Sequence, residues 1–191
     1  MLNILVVHGY KLHDALDGVA VLHYVDGPLL VGSASRPWWL MDQALEFDSS
    51  HGNSQWDDVV EWWLKELSEH DGIIGLSQGS VMMALLLLMV NHPECVPGFS
   101  PSKKQDFKFG IFCSGFVSHT SPHADLIYGI LNLPTLHTVD SQDTIVRAAR
   151  TIELQDKCHQ SILYRHDEGH VIPVGGHFPR LFQDFILDAT K

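Results

Sequence analysis

The chain has 191 residues, enough to bury a full hydrophobic core without disulfides or metals. Hydrophobic residues make up 45% and charged residues 18%, a balance that excludes a disordered or fibrous chain. Twelve basic against 23 acidic residues leave a formal net charge of −11, which argues against nucleic acid and anionic membrane as partners, because both select cationic surfaces.

The cysteines, Cys95, Cys113 and Cys158, are few, odd in number and widely spaced. They suggest neither a disulfide framework nor a zinc knuckle, and they fit a reducing, cytoplasmic setting. Met1 leads directly into the apolar run Leu2-Asn3-Ile4-Leu5-Val6-Val7 with no basic region before it and no small-residue cleavage site after it, which disfavours a signal peptide. Residues 72–90 lack Asp, Glu, Lys and Arg and are long enough to imitate a membrane span. Glycines and serines crowd their first half, so a buried strand, a tight turn and a buried helix explain them better.

In chain order, Leu2–Val7 reads as a strand buried on both faces, ending at His8-Gly9. Residues 21–25 form a second strand, closed by the turn tripeptide Asp26-Gly27-Pro28. Residues 27–54 read as a long loop that carries Trp38 and Trp39. Trp56, Val59, Val60, Trp63, Leu64 and Leu67 recur at helical spacing and predict an amphipathic helix over 55–70. A strand over 73–76 and a buried helix over 79–90 follow, then a polar connection to residue 104. Strands are expected at 107–113, 134–139 and 161–165, with a helix over 144–157. A final helix begins near Phe178, with Pro179 suited to its first turn. The alternation predicts one α/β domain over 1–191, with a mainly parallel sheet and helices on both faces.

Gly75-Leu76-Ser77-Gln78-Gly79 has the G-x-S-x-G spacing of a nucleophile elbow. A serine nucleophile needs a sharp strand-to-helix turn that lifts its hydroxyl above the sheet. Small residues two before and two after let strand and helix pass closely. The serine also needs a base and a group to orient that base, and in this fold type the order is Ser, then acid, then His. Asp140 and Asp143 follow the strand over 134–139; Asp143, deeper in the loop, suits the acid, with Asp140 as fallback. His166, His170 and His177 compete as base, and position after the last strand favours His170. Residues 166–170 imitate a zinc motif, but Asp167, Gly169 and Pro173 oppose the continuous helix it requires. Oxyanion donors are expected from the backbone amides of Gln78 and Tyr10, the latter in the loop after the first strand.

These residues resemble the FSH serine hydrolases of the α/β-hydrolase superfamily. The matching segments are Leu5-Val6-Val7-His8-Gly9-Tyr10, Trp38-Trp39, the run from Asp71 to Ser80, Phe107-Lys108-Phe109 through Ser114-Gly115-Phe116, Pro134 through Asp143, and Gly169-His170-Val171-Ile172-Pro173. The resemblance implies Ser77 as nucleophile, Asp143 as acid and His170 as base. It implies hydrolysis of carboxyl esters or thioesters, with some fungal members acting on acyl products of polyketide pathways. Two positions depart from the pattern: Asp140 stands where G-x-x-D has glycine, and Glu168 replaces a glycine. The segment 11–20 is also shorter than the family's, so the first helix is expected to be stunted or lost.

The expected function is therefore a serine hydrolase acting on a small-molecule ester or thioester of an apolar acyl group through an acyl-enzyme. No metal or cofactor is called for, and a homodimer is compatible with the reading. Trp38 and Trp39 are expected to line the acyl site. The rival class, motivated by the short 11–20 segment, is a catalytically impaired binding protein that kept the fold.

Overall fold

Apolar runs without alternation belong in strands covered on both faces, and the centre of this sheet is built from them. The computed structural model describes residues 1–9, 12–32, 35–42, 54–119, 123, 126 and 131–191. Its strands are β1 (Leu2–Val7), β2 (Ala20–Val25), β3 (Gly72–Leu76), β4 (Phe109–Cys113), β5 (Leu131–Asp140) and β6 (Cys158–His166). Its α-helices are α1 (Ser54–Glu66), α2 (Gln78–Asn91), α3 (Ala148–Gln155) and α4 (Phe178–Ala189). The strands form one sheet in the order β2-β1-β3-β4-β5-β6, and every pair is parallel. Every residue of β3 and β4 is buried, whereas the edge strands β2 and β6 are partly exposed.

Side chains alternate between two cores, as the two-residue strand period requires. Leu5, Val7, Ile73 and Phe112 face α1, α2 and the tip of α3. Ile4, Val6, Ile74, Leu76 and Ile111 face α4. The apolar stretch 72–90 resolves into β3, a one-residue turn and the buried helix α2. No helix among the described residues is long and apolar enough to cross a membrane.

Among the described residues of the crossover from β1 to β2, the helical element is one 3-10 turn, Asp14–Leu16. Leu12 and Leu16 are fully buried there, and the Gln183 side-chain amide on α4 donates to the Ala15 carbonyl at 2.9 Å. One apolar turn thus covers this part of the sheet. Two helices are shorter than their periodicity predicts. α1 ends at Glu66 because the chain must reach Asp71, whose amide donates to Asn3 O at 2.7 Å and whose carboxylate accepts from Asn3 N–H at 2.8 Å. α3 starts at Ala148, since the amides of Ile145 and Val146 turn onto the Asp143 carboxylate. β5 begins earlier than expected, with a register shift between Leu131 and Pro134 that accommodates the proline.

Two histidines among the described residues are fully buried. His137 on β5 stacks on Phe112 with centroids 4.8 Å apart, and its Nδ1 has no hydrogen-bond partner. His123 lies 2.8 Å from the Ser118 hydroxyl, between Trp39 and Trp56. Burial pushes both imidazoles from the ordinary 6.5 down to about 3. Between those values the unfolded chain binds more protons than the folded one, so stability falls as pH drops below about 6.5. Each histidine should contribute about 1 kcal/mol of loss per pH unit in that window. Urea unfolding at pH 7.5 and 5.5 should show this loss, and His137→Phe, which keeps an aromatic ring over Phe112, should flatten the dependence.

Candidate active site

The strand order reverses between β1, whose chain continues to β2 on one side, and β3 on the other. Open parallel sheets place ligands at the carboxyl ends of the strands beside such a switch point. β3 ends at Leu76 and α2 begins at Gln78, so Ser77 alone carries the reversal, at φ 55° and ψ −121°. That conformation is strained for a residue with a Cβ.

Neighbouring contacts hold it in place. The Ser77 amide donates to Cys113 O at 2.9 Å, and its carbonyl accepts from Val81 N–H at 3.2 Å. A methyl group on Gly79 would fall 2.1 Å from the Val7 carbonyl oxygen, and one on Gly75 would fall 2.8 Å from the Gly79 backbone. Only glycine permits this approach of α2 to the ends of β1 and β3. The buried Ser80 hydroxyl sits 2.7 Å from Gly75 O and 3.0 Å from Cys113 O, and accepts from Cys113 N–H at 3.1 Å. It ties the turn to β4.

Asp143 and His170 come together. His170 Nδ1 lies 2.7 Å from Asp143 Oδ2, with the imidazole 18% exposed and the carboxylate fully covered. The same oxygen accepts from the Ser114 hydroxyl at 2.9 Å, while Oδ1 accepts from Ile145 and Val146 N–H at 2.8 and 2.9 Å. Burial works to raise this carboxyl's pKa. The hydrogen bonds from His170, the two amides and Ser114 outweigh it and hold the group below its ordinary value. Asp143 is therefore an ionised acceptor with every bond directed, able to fix the imidazole's orientation.

Ser114 is a site residue that the sequence pattern alone does not assign. It follows β4, has φ 44° and is buried, and its amide donates to Thr138 O at 3.0 Å. Its sequence signal was Ser114-Gly115 after a fully apolar strand. A methyl at Gly115 would meet Ser80 Cβ and Leu154 at 2.8 Å, so the turn packs too closely for a larger residue.

Asp140, the fallback acid, is bonded to backbone amides. Its carboxylate accepts from Gln142 N–H and Gly169 N–H, both at 2.6 Å, and these bonds lower its pKa. His166 ends β6 with its ring edge-on to Phe178, and His177 stacks on Phe178 at the start of α4. Residues 166–170 run from strand end into turns, so the imidazoles of His166 and His170 do not share a helix face.

Ser77 stands half-buried at the same sheet edge, and among the described residues its hydroxyl makes no hydrogen bond. It connects to the pair through the chain: its amide bonds Cys113, Ser114 comes next, and Ser114 bonds Asp143. The Gln78 amide is the first of α2 and has no acceptor within the helix. Tyr10, the other expected oxyanion donor, lies outside the described residues.

Trp38 and Trp39, expected at the acyl site, are placed as follows. Both indoles are buried in the core, at 0% and 1% exposure. Trp38 stacks on Trp63 at 4.9 Å, and Trp39 meets Trp56 and His123 edge-on. They hold residues 38–39 against α1, and Gln78 fastens the same two residues to the serine turn. Gln78 Oε1 accepts from Trp38 N–H at 2.9 Å, and Nε2 donates to Trp39 O at 2.8 Å.

The all-parallel sheet, the strand–serine–helix turn and helices on both faces define an α/β-hydrolase. Its backbone superposes on a Bacillus cereus carboxylesterase with TM-score 0.64 at 16% identity, covering 98% of this chain and 88% of that one. It also superposes on Arabidopsis thaliana SOBER1 with TM-score 0.60 at 15% identity, covering 100% and 99%. In sequence it is 26% identical to esterase OVCA2 of Xenopus tropicalis, over 97% of this chain and 92% of that one. It is 28% identical to an esterase of Caenorhabditis elegans, over 90% and 86%. The model of the serine hydrolase (FSH1) family matches residues 8–178, and the chain belongs to that family.

Replacing Gln78 by leucine would leave the Trp38 amide and the Trp39 carbonyl buried without partners. Loss of two such bonds should lower unfolding stability by about 2–4 kcal/mol, measured by urea denaturation, with a rise in tryptophan solvent exposure read from the fluorescence maximum.

Proposed function

We propose that the protein hydrolyses carboxyl esters or thioesters of apolar acyl groups, with Ser77 as nucleophile, His170 as base and Asp143 as the group that orients it. The observation that carries this reading is the short Asp143–His170 bond at the sheet edge where Ser77 occupies a strained strand-to-helix turn. Ser114 is a weaker candidate for the nucleophile, because it is buried and its hydroxyl donates to Asp143.

In the first step the Ser77 oxygen attacks the acyl carbonyl as its proton passes to His170 Nε2. Asp143, already ionised, stabilises the resulting imidazolium through Nδ1–H. The Gln78 amide, at the positive end of α2, supports the oxyanion together with a donor from the loop after β1. Collapse expels the alcohol or thiol, which takes the proton from His170. Water then attacks the acyl-enzyme by the same route in reverse, releasing the acid and restoring Ser77.

An apolar cavity against α2, lined by Val81, Ala84, Leu85, Phe116, Val117 and Leu154 together with Ser118 and Lys157, holds only about 30 Å³, so an acyl chain seated there would have to widen it. The second reading, a binding protein without turnover, draws on the crossover between β1 and β2, whose helical element among the described residues is one 3-10 turn.

A panel of p-nitrophenyl esters of increasing chain length, beside matched acyl thioesters, separates the two. The hydrolase reading predicts turnover that improves with acyl length and falls at least about a thousandfold in Ser77→Ala. Folded protein that binds these compounds without cleaving them, or a Ser77→Ala variant as active as wild type, would refute it.

A further inference from the structure

Two carboxylates leave the end of β5, and both engage the histidine loop. Asp143 takes the His170 imidazole; Asp140 takes the backbone of the residue before it, with Gly169 N–H donating to Asp140 Oδ2 at 2.6 Å. The Gly169 carbonyl is also occupied, accepting from Val171 N–H at 3.0 Å in a three-residue turn. His170 is the middle residue of that turn. Gly169 has φ +82°, in the left-handed region that glycine adopts without strain. Both polar groups of the peptide chain flanking the imidazole are thus fixed, and Asp140 supplies one of the two fixings.

Asp140 is itself immobilised. Its Oδ1 accepts from Gln142 N–H at 2.6 Å, and the residue is 1% exposed, so little solvent competes for the carboxylate. Hydrogen bonds to an ionised acceptor are among the stronger ones available to a backbone amide. Farther along the same loop, the Glu168 carboxylate accepts from Gly175 N–H at 3.2 Å and from Val174 N–H at 3.4 Å. The Asp140 and Glu168 carboxylates thus hold two points of this loop. Both are spent on tethering the loop that carries His170.

We propose that Asp140 is a positioning residue for His170: through Gly169 it sets the backbone from which the imidazole reaches toward Ser77, while Asp143 sets the ring. The proposal rests on His170 being the base. Its physical basis is the steep dependence of proton transfer on geometry, where a displacement of about 1 Å can cost about a hundredfold in rate. Asp140 touches neither substrate nor the reacting atoms. Its effect is confined to how often the imidazole occupies the productive position.

The test compares wild type, Asp140→Asn and Asp140→Ala, with Ser77→Ala as blank. Labelling by a fluorophosphonate probe gives both the fraction of sites that react and the rate per site, and p-nitrophenyl acetate gives kcat and KM. Asparagine keeps one oxygen to accept an amide, so it should fold like wild type and lose about tenfold in kcat and labelling rate; alanine should lose more. KM should stay within about twofold, and the fraction finally labelled should be unchanged. The downfield proton signal of His170 Nδ1–H should broaden or shift in both variants. A lower labelled fraction with an unchanged rate per site would show a merely structural role and overturn the proposal. So would variants with wild-type kcat while wild type itself labels at Ser77. If wild type does not label, the reading of Ser77 and His170 fails, and the positioning role fails with it.

Discussion

Three neighbouring strands, β1, β3 and β4, each end on a non-glycine residue with positive φ: His8 at 54°, Ser77 at 55° and Ser114 at 44°. Among the described residues no other non-glycine residue has one. Left-handed backbone is unfavourable for residues with a Cβ, and it persists only where surrounding structure over-determines it. Here the over-determination is visible. α2 presses its first turn against the Val7 carbonyl, a contact only Gly79 allows, and Ser80 joins β3 to β4 through one hydroxyl. The chain leaves each strand abruptly because the helix stands too close for a gradual turn. The strain is thereby concentrated on the rim where the candidate chemistry lies.

From that rim a continuous set of bonds runs across the sheet. Ser77 is bonded to the end of β4, Ser114 to Asp143, Asp143 to His170, and Asp140 to the backbone before His170. Each link joins the end of one strand to the loop of the next, so the geometry of β3, β4, β5 and the chain after β6 is set collectively. Gln78 adds a branch that reaches back through Trp38 and Trp39 to α1. The buried thiol of Cys113, pushed up to about 12 by desolvation, lies within this region but is kept protonated and unreactive.

Much of the fold was legible because its signals are local. The unbroken apolar runs of β1, β3 and β4 announce central parallel strands, and the Gly75–Gly79 spacing announces the turn. Helix ends were less legible because tertiary hydrogen bonds decide them: Asp71 draws the chain out of α1, and Asp143 captures two amides that periodicity assigned to α3. Trp38 and Trp39 lie in a loop without periodicity, so nothing nearby states whether they face solvent or core. Their anchor, Gln78, was legible only as an oxyanion donor, although a polar side chain at the start of an apolar helix demands buried partners. The choice of Asp143 over Asp140 followed from loop position. What Asp140 does depends on Gly169, 29 residues away, and no local pattern reveals that bond.

The central claim is that Ser77 carries the acyl group between the two halves of the reaction. Rapid acid quenching of wild-type protein with a p-nitrophenyl ester, followed by peptide mapping by mass spectrometry, tests it most directly. The account predicts a transient mass increase equal to the acyl group on the peptide containing Ser77, formed before steady-state turnover. An acyl group found instead on Ser114 or another residue, or steady hydrolysis with no adduct at any quench time, would contradict it.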